Sequence, residues 1–164
     1  MPTSPTDATF ECAFLVDGAL TRYVTVPDRI FKQQGTVGSI VRNLFGRGPD
    51  FSKLLDEARS ADHLWATVQD HTATCFTNFE GGFSTEERDF FSALLPCVDA
   101  VKRTTALLCQ RQEALVRKLQ GDMLSLAKYQ RIERDYADSV DAYMRLGAPL
   151  QRQMDSIFRD IESE

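Results

Sequence analysis

The sequence has few of the residues from which metal centres are built. It contains two histidines and four cysteines in 164 residues, and no two cysteines have the C-x-x-C spacing typical of zinc sites. His71 and Cys75 are four residues apart and within reach of one ion, but Cys97 and Cys109 belong to another predicted helix. Because a zinc site needs about four such ligands, we expect no metal and no cofactor.

Catalytic motifs are missing as well. The stretch 35–39 contains two glycines but has neither the lysine nor the full spacing of a phosphate-binding loop. No nucleophile elbow occurs, and no Cys–His or Ser–His pair has a supporting motif. We therefore expect a protein that is not an enzyme, with no catalytic residue and no small-molecule substrate.

The chain has no excess of positive charge and no long apolar run. Its 19 basic and 24 acidic residues give a net charge of −5, which removes the overall attraction to phosphate and makes nucleic acid an unexpected partner. No uncharged apolar run approaches the roughly 20 residues needed to span a bilayer. The first residues lack the basic and apolar regions of a signal peptide, so the expected compartment is the cytoplasm.

What the sequence does have is a seven-residue repeat from residue 84 onward. Every seventh residue from Leu94 is apolar or aromatic, with one exception. A weaker second row alternates with the first at steps of three and four, a spacing typical of one helix packed along another. The heptad row is Leu94, Val101, Leu108, Leu115, Asp122, Tyr129, Tyr136, Tyr143, Leu150 and Ile157. The predicted fold is mainly α, an elongated helical bundle or coiled coil.

The N-terminal segment predicts a small β-hairpin. Within 9–16, Phe10, Cys12, Phe14 and Val16 occupy every second position, and Tyr23, Val24 and Val26 follow within 20–26. The Asp17-Gly18 pair between the two segments is favoured in tight hairpin turns. The predicted division of the chain is a disordered lead at 1–8 and a single helical domain at 9–164, with the hairpin at 9–26.

Helices are predicted for the rest of the chain. Ser84 and Glu87 form a capping box that marks a helix start, because each side chain can accept from the other's backbone N–H. Gly121 offers a break, but the heptad row continues through it in phase, so we predict a continuous helix with a kink near Pro96. Pro149 is well placed to begin a last helix. The predicted helices are 28–45, which is short, basic and amphipathic, and 50–79, 84–146 and 149–162.

The long helix leads to a functional hypothesis. Its part after Pro96 would be about 75 Å long, whereas 50–79 would be about 45 Å long at 1.5 Å per residue. Either the terminal segment folds back over the uncovered half, or a second copy of the chain does. We expect a non-catalytic adaptor or assembly subunit that binds protein partners and self-associates as a dimer through 97–146. The expected interface residues are Leu108, Leu115, Leu119, Leu126, Tyr129, Tyr136 and Tyr143.

An alternative hypothesis is a peripheral membrane-binding module. Residues 28–47 contain four basic residues and Asp28, a local charge of about +3, and basic amphipathic helices can lie among lipid headgroups. A long helical dimer behind this segment would be BAR-like in shape. The residues expected at the membrane or at another anion are Arg29, Lys32, Arg42 and Arg47.

Overall fold

The computed structural model describes residues 2–34 and 50–162. Within these ranges the chain is almost entirely helical and has no β-strand. The helices are α1 (Pro5–Gln34), α2 (Phe51–Phe79), α3 (Thr85–Leu119) and α4 (Leu126–Glu162). The predicted mainly helical class is therefore confirmed, whereas the predicted hairpin at 9–26 is wrong.

Consecutive helices run antiparallel. Glu11 of α1 contacts His71 of α2, and Tyr23 contacts Trp65, so residue numbers rise along α1 as they fall along α2. Short turns join α2 to α3 and α3 to α4, the two pairs with the most extensive contacts. Tyr23 also meets Tyr143 of α4, with ring centroids 6.1 Å apart. The described helices form an up-down-up-down bundle, with the α3–α4 turn and the C-terminal end of α1 at one end and the α2–α3 turn at the other.

The core is richest in aromatic side chains near the α2–α3 turn. The ring of Phe83 lies 4.7 Å from that of Phe91 and 5.9 Å from that of Phe76, in the range of favourable aromatic pairs. Farther along the bundle Trp65 is fully buried, 6.3 Å from Tyr23 in an edge-to-face pair. Because burial of one large apolar side chain contributes roughly 1.5–3 kcal/mol, these aromatic contacts hold α1, α2 and α3 together.

The first helix replaces the predicted disordered lead and hairpin. Ser4 Oγ accepts from the Asp7 N–H at 3.1 Å, and Pro5 occupies the first helical position, where no N–H is needed. Packing on α2 buries one helical face, whereas Asp17 and Gly18 lie on the exposed face in the middle of the helix. The buried residues at helical spacing are Ala8, Cys12, Val16, Ala19 and Tyr23.

The predicted basic helix at 28–45 does not begin at residue 28. Instead α1 continues through Pro27 to Gln34, so Arg29 and Lys32 lie on its last turns. The rest of that prediction, together with Arg42 and Arg47, lies outside the described residues.

The predicted continuous helix at 84–146 is wrong, because the chain reverses at Gly121. This residue has φ = +93°, a left-handed conformation that glycine adopts without strain. The Gly121 N–H donates to the Lys118 carbonyl at 3.2 Å and the Asp122 N–H to the Arg117 carbonyl at 3.0 Å, the two bonds of a Schellman cap. Ser125 Oγ then accepts from a backbone N–H three residues on, and α4 begins.

The capping box at the start of α3 is confirmed. Ser84 Oγ accepts from the Glu87 N–H at 3.1 Å, and Glu87 Oε2 accepts from the Ser84 N–H at 2.8 Å. Asp50 caps α2 in a similar way, accepting from the Lys53 N–H at 3.1 Å. These bonds satisfy N–H groups that have no partner within their own helix.

The predicted break at 147–149 is also wrong, because α4 passes through Pro149 without ending. Leu150 and Met154 are almost fully buried beyond it, so packing of the continued helix outweighs the lost backbone hydrogen bond. With α4 folded back along α3, no long uncovered helix remains among the described residues. A second copy of the chain is therefore not needed to cover a long helix.

We predict that Gly121→Ala lowers the free energy of unfolding by about 1 kcal/mol, because alanine is strained at a positive φ. The matched control is Gly18→Ala, where an added Cβ would meet nothing within 4 Å. There alanine should stabilise the helix by roughly 0.5–1 kcal/mol. Urea denaturation measures both changes, and a Gly121→Ala variant as stable as Gly18→Ala would contradict the chain reversal.

Candidate functional site

The seven residues predicted to form an interface do not share one surface. Leu108 and Tyr136 are buried inside the bundle, in a small core cluster with Leu54 and Ala58. Leu115, Tyr129 and Tyr143 are half-buried, whereas Leu119 and Leu126 are exposed. Most of the predicted interface therefore packs within the chain, and of the seven residues only Leu119 and Leu126, beside the α3–α4 turn, are exposed.

Polar residues in the seam between helices are paired within the chain. Asp62 of α2 accepts from Lys102 Nζ and from Thr105 Oγ1 of α3, each at 2.8 Å. The nearly buried Arg111 donates to Glu133 of α4. Buried charge is costly unless it is paired and hydrogen-bonded, so these contacts account for polar side chains at seam positions without a catalytic role.

Three exposed apolar residues form a patch at the α3–α4 turn. Leu119 is 63% exposed, Leu126 is 70% exposed and Met123 between them is fully exposed. All three lie within the eight residues at which the chain reverses, so they project from the same end of the bundle. We call Leu119, Met123 and Leu126 the hairpin-end patch.

The surroundings of the hairpin-end patch are basic. Between residues 117 and 128, Arg117, Lys118 and Lys128 outnumber Asp122, although the whole chain has a net charge of −5. A groove of about 260 Å³ between α3 and α4 opens beside Met123. Its lining includes the basic residues Arg117 and Lys128 and the acidic residues Glu113 and Asp122.

A larger cavity, of about 400 Å³, lies between α1 and α2. Ser60 and His63 line it together with Tyr23 and Trp65. In the described part of the chain no hydrogen bond joins Ser60 to His63, so these two residues lack the arrangement of a nucleophile and its base. The geometry gives this cavity no catalytic assignment.

The fold also brings together two cysteines and a histidine. The Sγ atoms of Cys12 and Cys75 and a ring nitrogen of His71 all lie within 4.8 Å of one another. Cys75 Sγ is 3.5 Å from His71 Nε2, and Glu11 Oε1 is 3.0 Å from the same nitrogen. Burial, and then the neighbouring Cys75, raise the pKa of Cys12, and burial also raises the pKa of Cys75. We call Cys12, His71 and Cys75 the thiol–imidazole cluster.

Sequence analysis found two of the three residues of this cluster. It paired His71 with Cys75 because the two residues are four apart, but it assigned Cys12 to a strand of the hairpin. The structure replaces that strand by α1, whose buried face brings Cys12 against α2. Cys97 and Cys109, the other candidates considered from the sequence, lie on α3 outside the cluster.

Comparison of the chain with protein-family models, with curated proteins and with solved structures gives no match. The described helices are 29 to 37 residues long, yet none has a stretch apolar enough to cross a bilayer. Functional inference therefore rests on the geometry of the chain itself.

We predict that Leu108→Ala lowers the free energy of unfolding by about 2–5 kcal/mol, because it leaves a cavity in the core. Leu119→Ala should change it by no more than about 0.5 kcal/mol, since that side chain is mostly exposed. Thermal or urea denaturation of the two matched variants measures the difference. Equal effects would contradict the division of the predicted interface residues into core and surface.

Proposed function

We propose that the protein is a non-catalytic helical adaptor or assembly subunit of the cytoplasm that binds a partner protein through the hairpin-end patch. The exposure of Leu119, Met123 and Leu126 is the observation on which this proposal depends. Single exposed apolar residues are common on protein surfaces, but three within one turn form a group whose burial would be favourable. Covering a side chain of this size contributes roughly 1.5–3 kcal/mol.

The position of the patch favours binding without a large entropic loss. The Schellman cap at Gly121 fixes the end of α3, and Ser125 caps the start of α4. Leu119 and Leu126 are therefore attached to rigid helix ends rather than to a long loop. A surface that is already ordered loses less conformational freedom when a partner binds.

Charge indicates the chemistry of the partner. Arg117, Lys118 and Lys128 flank the patch along the chain and give this segment a net positive charge, so a surface with carboxylates around an apolar side chain would be electrostatically complementary. The groove of about 260 Å³ beside Met123 has room for such a side chain. A second copy that met this chain patch to patch would instead bring like charges together, so we favour a different, acidic protein.

A peripheral membrane module is the second candidate, because the same end of the bundle combines basic and apolar residues. α1 ends there with Arg29 and Lys32 on its last turns, and each basic residue contributes about 1 kcal/mol on an anionic surface. Glu113 and Asp122 also line the groove at this end, and a protein partner can place a basic side chain opposite them among its carboxylates, whereas a surface of anionic lipid headgroups cannot. For this reason we place protein binding first.

The test introduces a photo-crosslinking amino acid at Met123 in the full chain and, as a matched control, at Met144. Met144 is also an exposed methionine, 62% exposed on α4, but it lies away from the turn. We expect discrete protein adducts from position 123 and none of the same mass from position 144. An adduct of twice the chain's mass would identify self-association instead of an acidic partner.

The identified partner is then purified and its affinity is measured directly. Met123→Glu should weaken binding by about tenfold or more, since one buried methionine is worth roughly 1.5–3 kcal/mol, whereas Met144→Glu should leave it unchanged. Higher salt should also weaken binding. Equal effects of the two substitutions would refute the patch as the binding surface.

Co-sedimentation with vesicles that contain anionic lipid separates the second candidate from the first. Salt-sensitive binding to such vesicles that is lost in a folded Arg42→Glu/Arg47→Glu variant would replace protein binding by membrane binding as the proposed function. We expect no sedimentation above that with neutral vesicles.

A further inference from the structure

We propose that Cys12, His71 and Cys75 bind a zinc ion, with Glu11 as the fourth ligand, and that this site joins α1 to α2. The two cysteines and the histidine come from the thiol–imidazole cluster, and Glu11 precedes Cys12 on α1. The site is distinct from the hairpin-end patch, because it lies toward the opposite end of the bundle. The zinc site does not depend on the proposed protein-binding function.

The distances fit tetrahedral zinc. With Zn–S near 2.3 Å and Zn–N near 2.1 Å, the sulfur and nitrogen of two tetrahedral ligands are about 3.6 Å apart. Cys75 Sγ and His71 Nε2 are 3.5 Å apart, and Cys12 Sγ lies within 4.8 Å of Cys75 Sγ and of a ring nitrogen of His71. Glu11 Oε1, 3.0 Å from the same ring nitrogen, is close enough to complete the set after small side-chain rotations.

The backbone positions of the ligands support the same conclusion. His71 and Cys75 are one helical turn apart on α2, which places both side chains on one face. Glu11 precedes Cys12 on α1, so the two side chains diverge around the helix, and it is the longer Glu11 side chain that reaches His71 across the two helices. Two ordered helices therefore hold the cysteines and the histidine close together before the ion binds, and Glu11 joins them by rotation of its side chain.

The donor atoms select the type of cation. Two thiolates and an imidazole favour zinc or another soft or borderline metal, whereas Mg²⁺ and Ca²⁺ prefer oxygen ligands. The cysteines are buried, but the side chains of His71 and Glu11 are 31% and 43% exposed. An ion can therefore enter from the surface on the side of His71 and Glu11 and reach the sulfurs behind them.

The experiment uses the full chain, purified under reducing conditions, treated with a chelator and then titrated with Co²⁺ or Zn²⁺. We expect one ion per chain, with Co²⁺ producing the thiolate-to-metal absorption and the intense visible bands of a tetrahedral sulfur site. Because an ion that binds only the folded state stabilises it, Zn²⁺ should raise the Tm. Elemental analysis of protein purified without chelator provides an independent measurement.

Matched variants identify the ligands. His71→Ala should weaken Zn²⁺ binding by more than the roughly 10–100-fold that loss of an outer-shell partner causes, whereas His63→Ala, an exposed histidine on the same helix, should have no effect. Cys75→Ala should reduce the thiolate absorption by half or more, because only the Cys12 sulfur remains, and Cys97→Ala, a buried cysteine on α3, should retain it. Glu11→Gln, which removes the charge of a direct ligand, should also weaken binding by more than this outer-shell effect.

Two results would overturn the zinc site. One is a reduced, folded wild-type chain that gives no cobalt spectrum and no Zn²⁺-dependent change in Tm. The site is overturned in the same way if such a chain binds no ion when reduced and forms only a Cys12–Cys75 disulfide in air. The other is Zn²⁺ binding that His71→Ala and His63→Ala leave equally strong. Unchanged affinity in Glu11→Gln would overturn Glu11 as the fourth ligand.

Discussion

The return of α4 along α3 is the constraint on which the rest of the structure depends. It requires a left-handed residue at the turn, and Gly121 provides it with φ = +93°. Once the chain reverses there, Leu108 and Tyr136 face the inside of the bundle, and Arg111 on α3 is placed to pair with Glu133 on α4. A continuous helix would have left these groups exposed or unpaired, which is unfavourable for apolar and buried polar groups alike.

The two proposed binding features lie toward opposite ends of the bundle and use different chemistry. The hairpin-end patch consists of apolar side chains that stay exposed where α3 ends and α4 begins. The thiol–imidazole cluster lies between α1 and α2. The contacts between α1 and α2 are less extensive than those between α2 and α3 or between α3 and α4. An ion held by both helices would therefore strengthen the helix pair that packing alone holds less firmly.

The first helix shows how a local pattern can fit two structures. Over 9–16 the apolar residues alternate, but Cys12 and Val16 are also one helical turn apart, so the same letters suit a strand or a helix. Ser4, Pro5 and Asp7 together form a helix-start signal that could have favoured the helix. Without α1 in place, Cys12 has no spatial relation to His71 and Cys75, and the cluster cannot be recognised.

By itself, the sequence determined that the protein is mainly helical, where α3 begins and which side chains form the heptad row. These properties depend on local hydrogen bonds and on the spacing of apolar residues, both of which can be read along the chain. Only the tertiary structure decided that the row is shared by α3 and α4, that α4 continues through Pro149, and that Cys12 meets α2. A repeat shows which face of a helix is apolar, but it does not show which helix packs on that face or in which direction that helix runs. Burial against the rest of the chain selects among the helix arrangements that the local pattern allows.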